Sequence, residues 1–213
     1  MFELFHKGGP IMWPLLAASM MGMTVVFERI FFVFTQKRAE KPESRKKIFY
    51  CLESGDLEQA KVAGEKSKDP VVKMLMSGLK HPLTLQTALY ASANAELKKY
   101  ERGVAVLDTI ITLAPLLGLL GTVTGMIRAF GLLGASELEA PSAITGGIAE
   151  ALIATAFGLG IAIFSLIPFN WLNAYVENMR HQMENAGSLL ENLMAKLERE
   201  NHETPSGFRK AAR

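Results

Sequence analysis

Charged residues are absent from Ile11 to Phe27 and from Thr109 to Ile127, and from Ile144 to Val176 only Glu150 breaks the pattern. No other feature limits the fold as strongly. A run of roughly 20 apolar residues at 1.5 Å each matches a hydrocarbon core about 30 Å thick, and a helix satisfies its own backbone polar groups there. Thr109–Ile127 alone covers about 28 Å as a helix. The first run continues past Glu28 and Arg29 through five more apolar residues to Phe34, so that charged pair is expected near one interface. A cleaved leader fits poorly, because Glu3 lies in the start and apolar residues continue beyond Ala17-Ala18-Ser19. Trp171 and Tyr175, near the end of the third run, suit an interfacial belt.

The composition is split between two solvents: 49% of the residues are hydrophobic and 21% charged, the charge lying between the apolar runs. A net charge of +2 says almost nothing about partners, among which nucleic acid is not expected. Cys51 is the one cysteine, and His6, His81, His181 and His202 are scattered, so neither a disulfide framework nor a metal site is indicated. No Ser/His/Asp constellation is present either. The reading is therefore of a non-enzyme without a cofactor and without catalytic residues.

Orientation follows the basic residues, which are retained on the cytoplasmic side. Fourteen Lys and Arg lie between Thr35 and Gly103 and six follow Val176, whereas the stretch from Gly131 to Ala143 has none and carries Glu137 and Glu139. Arg128 is the one basic residue against this trend. The expected layout is an outer N-terminus (1–10), a first membrane helix (11–34), a cytoplasmic helical loop (35–103) and a second membrane helix (104–130). An outer connection (131–143), a third membrane helix (144–175), a cytoplasmic helix (176–201) and a flexible tail (202–213) complete it.

Within the loop, apolar residues recur through Ile48, Cys51 and Leu52 and again through Val71, Leu75 and Leu79, with breaks at Pro42, Gly55-Asp56, Pro70 and Pro82. Asp56 and Asp69 read as N-caps, the latter because Pro70 then takes a first helical position. Three short helices result, followed by one starting near Thr84 that is expected to run straight into the second span. After the third span Leu172, Val176, Met179, Met183, Ala186, Leu190, Leu193 and Leu197 form a heptad seam. It could pack on the chain's own loop helices or between subunits of a ring.

Glu150 is the most informative side chain, since a charge at the centre of a membrane helix costs about 2.5–3.5 kcal/mol on insertion scales. Two readings stand: an acid near the outer interface relieved by water, or a titratable group facing an internal cavity. Thr122 and Thr155 can donate and accept hydrogen bonds between helices, or simply bond to backbone. Asp108, Pro115 and Thr122, spaced by seven, share a face of the second helix. Gly121 and Gly125 form a G-x-x-x-G pair, and Ala154, Gly158 and Ala162 a small-residue stripe, both of which favour close helix packing. Glu150 and Thr155 lie about 140° apart around an ideal helix, so one is expected to face a lumen and the other a neighbouring helix.

The run PLLGLLGTVTGMI from Pro115 to Ile127 and the run GIAEALIATAFGL from Gly147 to Leu159 resemble the two signature segments of the ExbB/TolQ/MotA proton channel family. The start GGPIMWP, from Gly8 to Pro14, looks like that of short ExbB-type members. The resemblance implies an all-α membrane protein with three transmembrane helices, the second and third extended into the cytoplasm and assembled as a ring. It implies a homopentamer in the bacterial inner membrane, enclosing the single helices of an ExbD- or TolR-like dimer that carries the proton-bearing aspartate. That partner passes work to a TonB- or TolA-like protein. By the motif match Thr122 and Thr155 are pore-lining hydroxyls and Glu150 is the signature acid; Asp108 and Pro115 are weaker candidates, singled out only because they share a face of the second helix with Thr122. MotA has four spans, so a flagellar role does not fit.

Overall fold

The computed structural model describes residues 2–40, 42–65, 67–131 and 140–203, and every regular element among them is helical. In order these are α1 (Phe2–Lys7), α2 (Met12–Ala39), α3 (Pro42–Glu53), α4 (Leu57–Glu65), α5 (Pro70–Lys80), a 3₁₀ turn (Pro82–Thr84), α6 (Leu85–Glu101), α7 (Val104–Gly131) and α8 (Ala140–Glu203). Three of them are long and apolar enough to cross a membrane, within Met12–Arg38, Val104–Gly131 and Ile144–Leu197. The chain divides into two compact units, one of residues 1–31 and 102–174, the other of residues 32–101 and 175–213.

The first unit contains the apolar helices. On α7 the buried residues are Leu107, Ile110, Ala114, Gly118, Gly121, Gly125 and Ala129, spaced by three and four, so one narrow stripe faces inward. The rest of the helix presents Leu113, Leu116, Leu119, Leu120, Val123 and Ile127 outward. That distribution suits a helix surrounded by lipid, where an apolar exterior is no liability. α2 follows the same rule, with Met12, Leu15, Ala18 and Gly22 inside and Trp13, Met20, Met21, Phe27 and Phe31 outside.

The second unit is built around one core of large apolar side chains. Ile48 and Leu52 from α3, Val71, Leu75 and Leu79 from α5, Leu89 and Leu97 from α6, and Val176, Met179, Met183 and Leu190 from α8 form one buried cluster. The heptad seam of α8 is thus covered by loop helices of its own chain. Asp69 caps α5, accepting hydrogen bonds from the Val71 and Val72 amides at 2.9 and 3.4 Å, with Pro70 in the first turn. Asp56 likewise accepts from the Gln59 amide at 2.9 Å at the start of α4. The Asp69 carboxylate is fully buried and is held by Arg45, whose Nε and Nη2 donate at 2.7 and 2.9 Å; Arg45 Nη1 donates to Gln182 at 2.6 Å. A buried charge held by two helix amides and a two-pronged guanidinium is fully satisfied.

One expectation needs correction, and one element was not foreseen. The helix starting after Thr84 does not run into the second span: α6 ends at Glu101, and Gly103 takes a left-handed φ of +83° before α7 begins. A Cβ at Gly103 would lie 3.1 Å from Val25 and 3.2 Å from the buried Arg29, so glycine suits both the turn and the space. The described part of α8 ends at Glu203, so the tail expected from 202 falls almost wholly in residues 204–213, which lie outside the described residues, as do 132–139 of the outer connection. α1 had no counterpart in the sequence reading.

Candidate functional site

The seam between α7 and α8 is where backbones come closest. A Cβ on Gly158 would lie 2.5 Å from the Ala114 carbonyl oxygen, one on Gly118 3.0 Å from the Thr155 Cα, and one on Gly125 3.0 Å from the Gly147 oxygen. Residue numbers rise along α7 as they fall along α8, from Ala114 against Gly158, through Gly121 against Ala154, to Ala129 against Gly147. The two helices are therefore antiparallel and held at glycine and alanine contacts. Such packing is how membrane helices associate where lipid supplies no hydrophobic drive between them.

Polar groups are set into this seam. Thr155 donates its hydroxyl across it to the Gly118 carbonyl oxygen at 2.9 Å. Because residue 118 has no side chain, α8 can approach closely enough for that bond. Thr122 donates instead within its own helix, to the Leu119 carbonyl at 2.6 Å, and borders a shallow groove with Val123, Met126, Ile127 and Phe130. Asp108 is exposed, while Pro115 and Thr122 are half-buried beside the inner stripe of α7. Each of these hydroxyl oxygens keeps acceptor capacity for a further donor.

Glu150 is not isolated. Arg128 of α7 donates through Nη1 to its Oε1 at 2.8 Å. The carboxylate side chain is 22% exposed and the guanidinium 51%, so the acid is covered while its partner opens outward. Pairing makes a charge at this depth tolerable. Glu150 and Thr155, expected to point apart, both make their polar contacts with α7, since the longer glutamate side chain reaches toward the end of the hairpin.

Sequence reasoning noted Arg128 only as an exception to the charge bias. A usable signal was present: one basic residue near the end of one span and one acid near the start of the next are brought level by an antiparallel hairpin. Gly9 was quoted only within a likeness. The structure sets it directly against Glu150, because a Cβ built on Gly9 would fall inside that carboxylate.

Three apolar helices of membrane-spanning length, two of them paired along a polar seam, define a multi-span helical membrane protein. The family model described as the MotA/TolQ/ExbB proton channel family matches residues 63–185, which include Thr122, Arg128, Glu150 and Thr155, and the chain belongs to that family. It is 37% identical to the biopolymer transport protein ExbB-like 1 of Synechocystis, over all of this chain and 86% of that protein. An ExbB homolog of Methanothermobacter thermautotrophicus is 29% identical over 85% of this chain and 66% of its own length. The Tol-Pal system protein TolQ of Haemophilus influenzae is 36% identical over 46% of this chain and 43% of its own. The chain is an ExbB/TolQ-type proton channel-like transport protein.

Proposed function

We propose that this chain is the ring-forming, ExbB-like subunit of an inner-membrane motor driven by the proton-motive force, which energises TonB-dependent transport across the outer membrane. The supporting observation is the polar line between two spans, 109–131 and 144–176, whose only charged residues are Arg128 and Glu150: that ion pair, then the Thr155 hydroxyl on the Gly118 carbonyl. In this reading a homopentamer encloses the helices of an ExbD/TolR-like dimer. The partner's acid carries the proton. Thr122 and Thr155 supply hydroxyl oxygens along its path, and Glu150 supplies a fixed, paired charge. One charge crossing 100 mV releases about 2.3 kcal/mol, enough to bias one repacking step, so sustained work needs repeated proton passage.

The N-terminus is periplasmic and the C-terminus cytoplasmic in this scheme. The experiment measures proton-driven nutrient uptake in cells carrying Glu150→Gln or Thr155→Val at unchanged protein levels. Each is expected to lose at least about tenfold in rate, the scale of one lost charge-assisted or buried hydrogen bond. Full uptake in both would overturn the assignment of these residues, and an envelope defect without an uptake defect would move the chain to the TolQ branch. Orientation is checked with Gly131→Cys, which should react with an impermeant thiol reagent added outside.

A further inference from the structure

The connection between α1 and α2 lies against the outer end of the α7–α8 seam at two successive residues. Gly8 stands where a Cβ would lie 3.1 Å from Cγ2 of Ile153, and Gly9, at φ +71°, stands where a Cβ would overlap the Glu150 carboxylate. Residue 9 is thus restricted twice over. Its backbone conformation disfavours any L side chain, and the space a side chain would need is filled by Oε1, the same oxygen that accepts from Arg128. The carboxylate is therefore enclosed by a guanidinium from α7 and a bare backbone from the α1–α2 connection.

We propose that Gly9 is a positioning residue that seats the Glu150 carboxylate on Arg128, so that the N-terminal turn and the polar seam of the membrane helices form one unit. A side chain at residue 9 displaces the carboxylate and breaks the ion pair, although it touches neither α7 nor the threonines. The functional meaning rests on the place proposed above for Glu150; the seating itself does not.

The test is a triple-mutant cycle on the purified full-length protein in lipid nanodiscs, read as melting temperature. Gly9→Ala is expected to lower Tm by about 8 °C with Glu150 present, and by about 3 °C in a Glu150→Ala background, where only the backbone penalty is left. The Arg128–Glu150 coupling, from Arg128→Gln, Glu150→Gln and their double, should be at least halved when residue 9 is alanine. Equal coupling with glycine or alanine at residue 9 would overturn the proposal. If Gly9→Ala does not accumulate, Gly9→Ala with Glu150→Ala should restore accumulation, and failure to do so counts against the proposal equally. In cells, Gly9→Ala and Arg128→Gln should reduce proton-driven uptake by similar factors, with the double variant no worse than either single. A cycle that holds while uptake ignores all three residues would retain the seating and remove Glu150 from the proton path.

Discussion

The two units of this chain hold their helices together by opposite means. Helices α7 and α8 of the first meet through Gly118, Gly121, Gly125, Ala154 and Gly158, at distances where an added methyl group would strike backbone or a neighbouring methyl. The second is filled with Ile48, Leu52, Leu75, Leu97, Met179 and Leu190, and fixes its corner with a buried Arg45–Asp69 pair. Water explains the difference. In the second unit, burying large side chains removes apolar area from water at about 25 cal/mol per Å², so bulk is rewarded. In lipid no such gain exists, and what remains is close contact between backbones, which only small residues permit.

The comparison can be broken where it is most exposed. Asp69→Ala removes a helix cap and leaves the half-buried Arg45 without its carboxylate; a loss of about 3–4 kcal/mol is expected, seen as faster hydrogen exchange in residues 70–80 with little change in α7. Leu75→Ala, at a fully buried position, should cost about 3 kcal/mol with the same regional signature in denaturant unfolding. For the membrane unit the direction reverses, because adding atoms does the damage. Gly158→Ala should cost about 1–3 kcal/mol in detergent unfolding while the exchange pattern of α3 to α6 holds. Were Gly158→Ala neutral, close packing would not be what holds the seam.

The smallest effect sharpens the contrast from the polar side. Tyr100 is buried in the second unit, and its hydroxyl has no hydrogen-bond partner among the described residues. Burial, reinforced by the nearby Glu40 carboxylate, pushes its pKa well above the usual tyrosine range. Tyr100→Phe should therefore stabilise by about 1 kcal/mol, read as a higher midpoint in urea. The sign with pH follows. A pKa raised in the folded state leaves stability intact below the unfolded value of about 10, and stability falls as pH rises beyond it. The phenylalanine variant should lose the share of that alkaline slope that Tyr100 carries, so its slope is shallower than that of the parent chain.

What could be read from the sequence divides along the same line. The three membrane helices and the caps at Asp56 and Asp69 were legible, because each is signalled by residues close together in sequence. The seam of α8 was legible as a pattern but not in its partner, since a heptad records that a face is buried and not by what. The depth of Glu150 could be read, but its pairing with Arg128 depends on the hairpin's register, and the approach of Gly9 depends on a turn more than a hundred residues away. The break before α7 was missed because a lone glycine after Lys98, Lys99 and Arg102 reads equally as a helix interior or an end.

The bare backbone at Gly118 and Gly158 also has a consequence for inheritance. Every amino-acid replacement reachable from a glycine codon by one base change adds at least a Cβ, and at these two positions that atom meets α-carbon or carbonyl of the facing helix. Neither codon has a harmless neighbour among those that change the amino acid. A saturation library should accordingly show two sharp minima of tolerance there, beside lipid-facing positions such as Leu116 and Leu120 that accept most apolar substitutions.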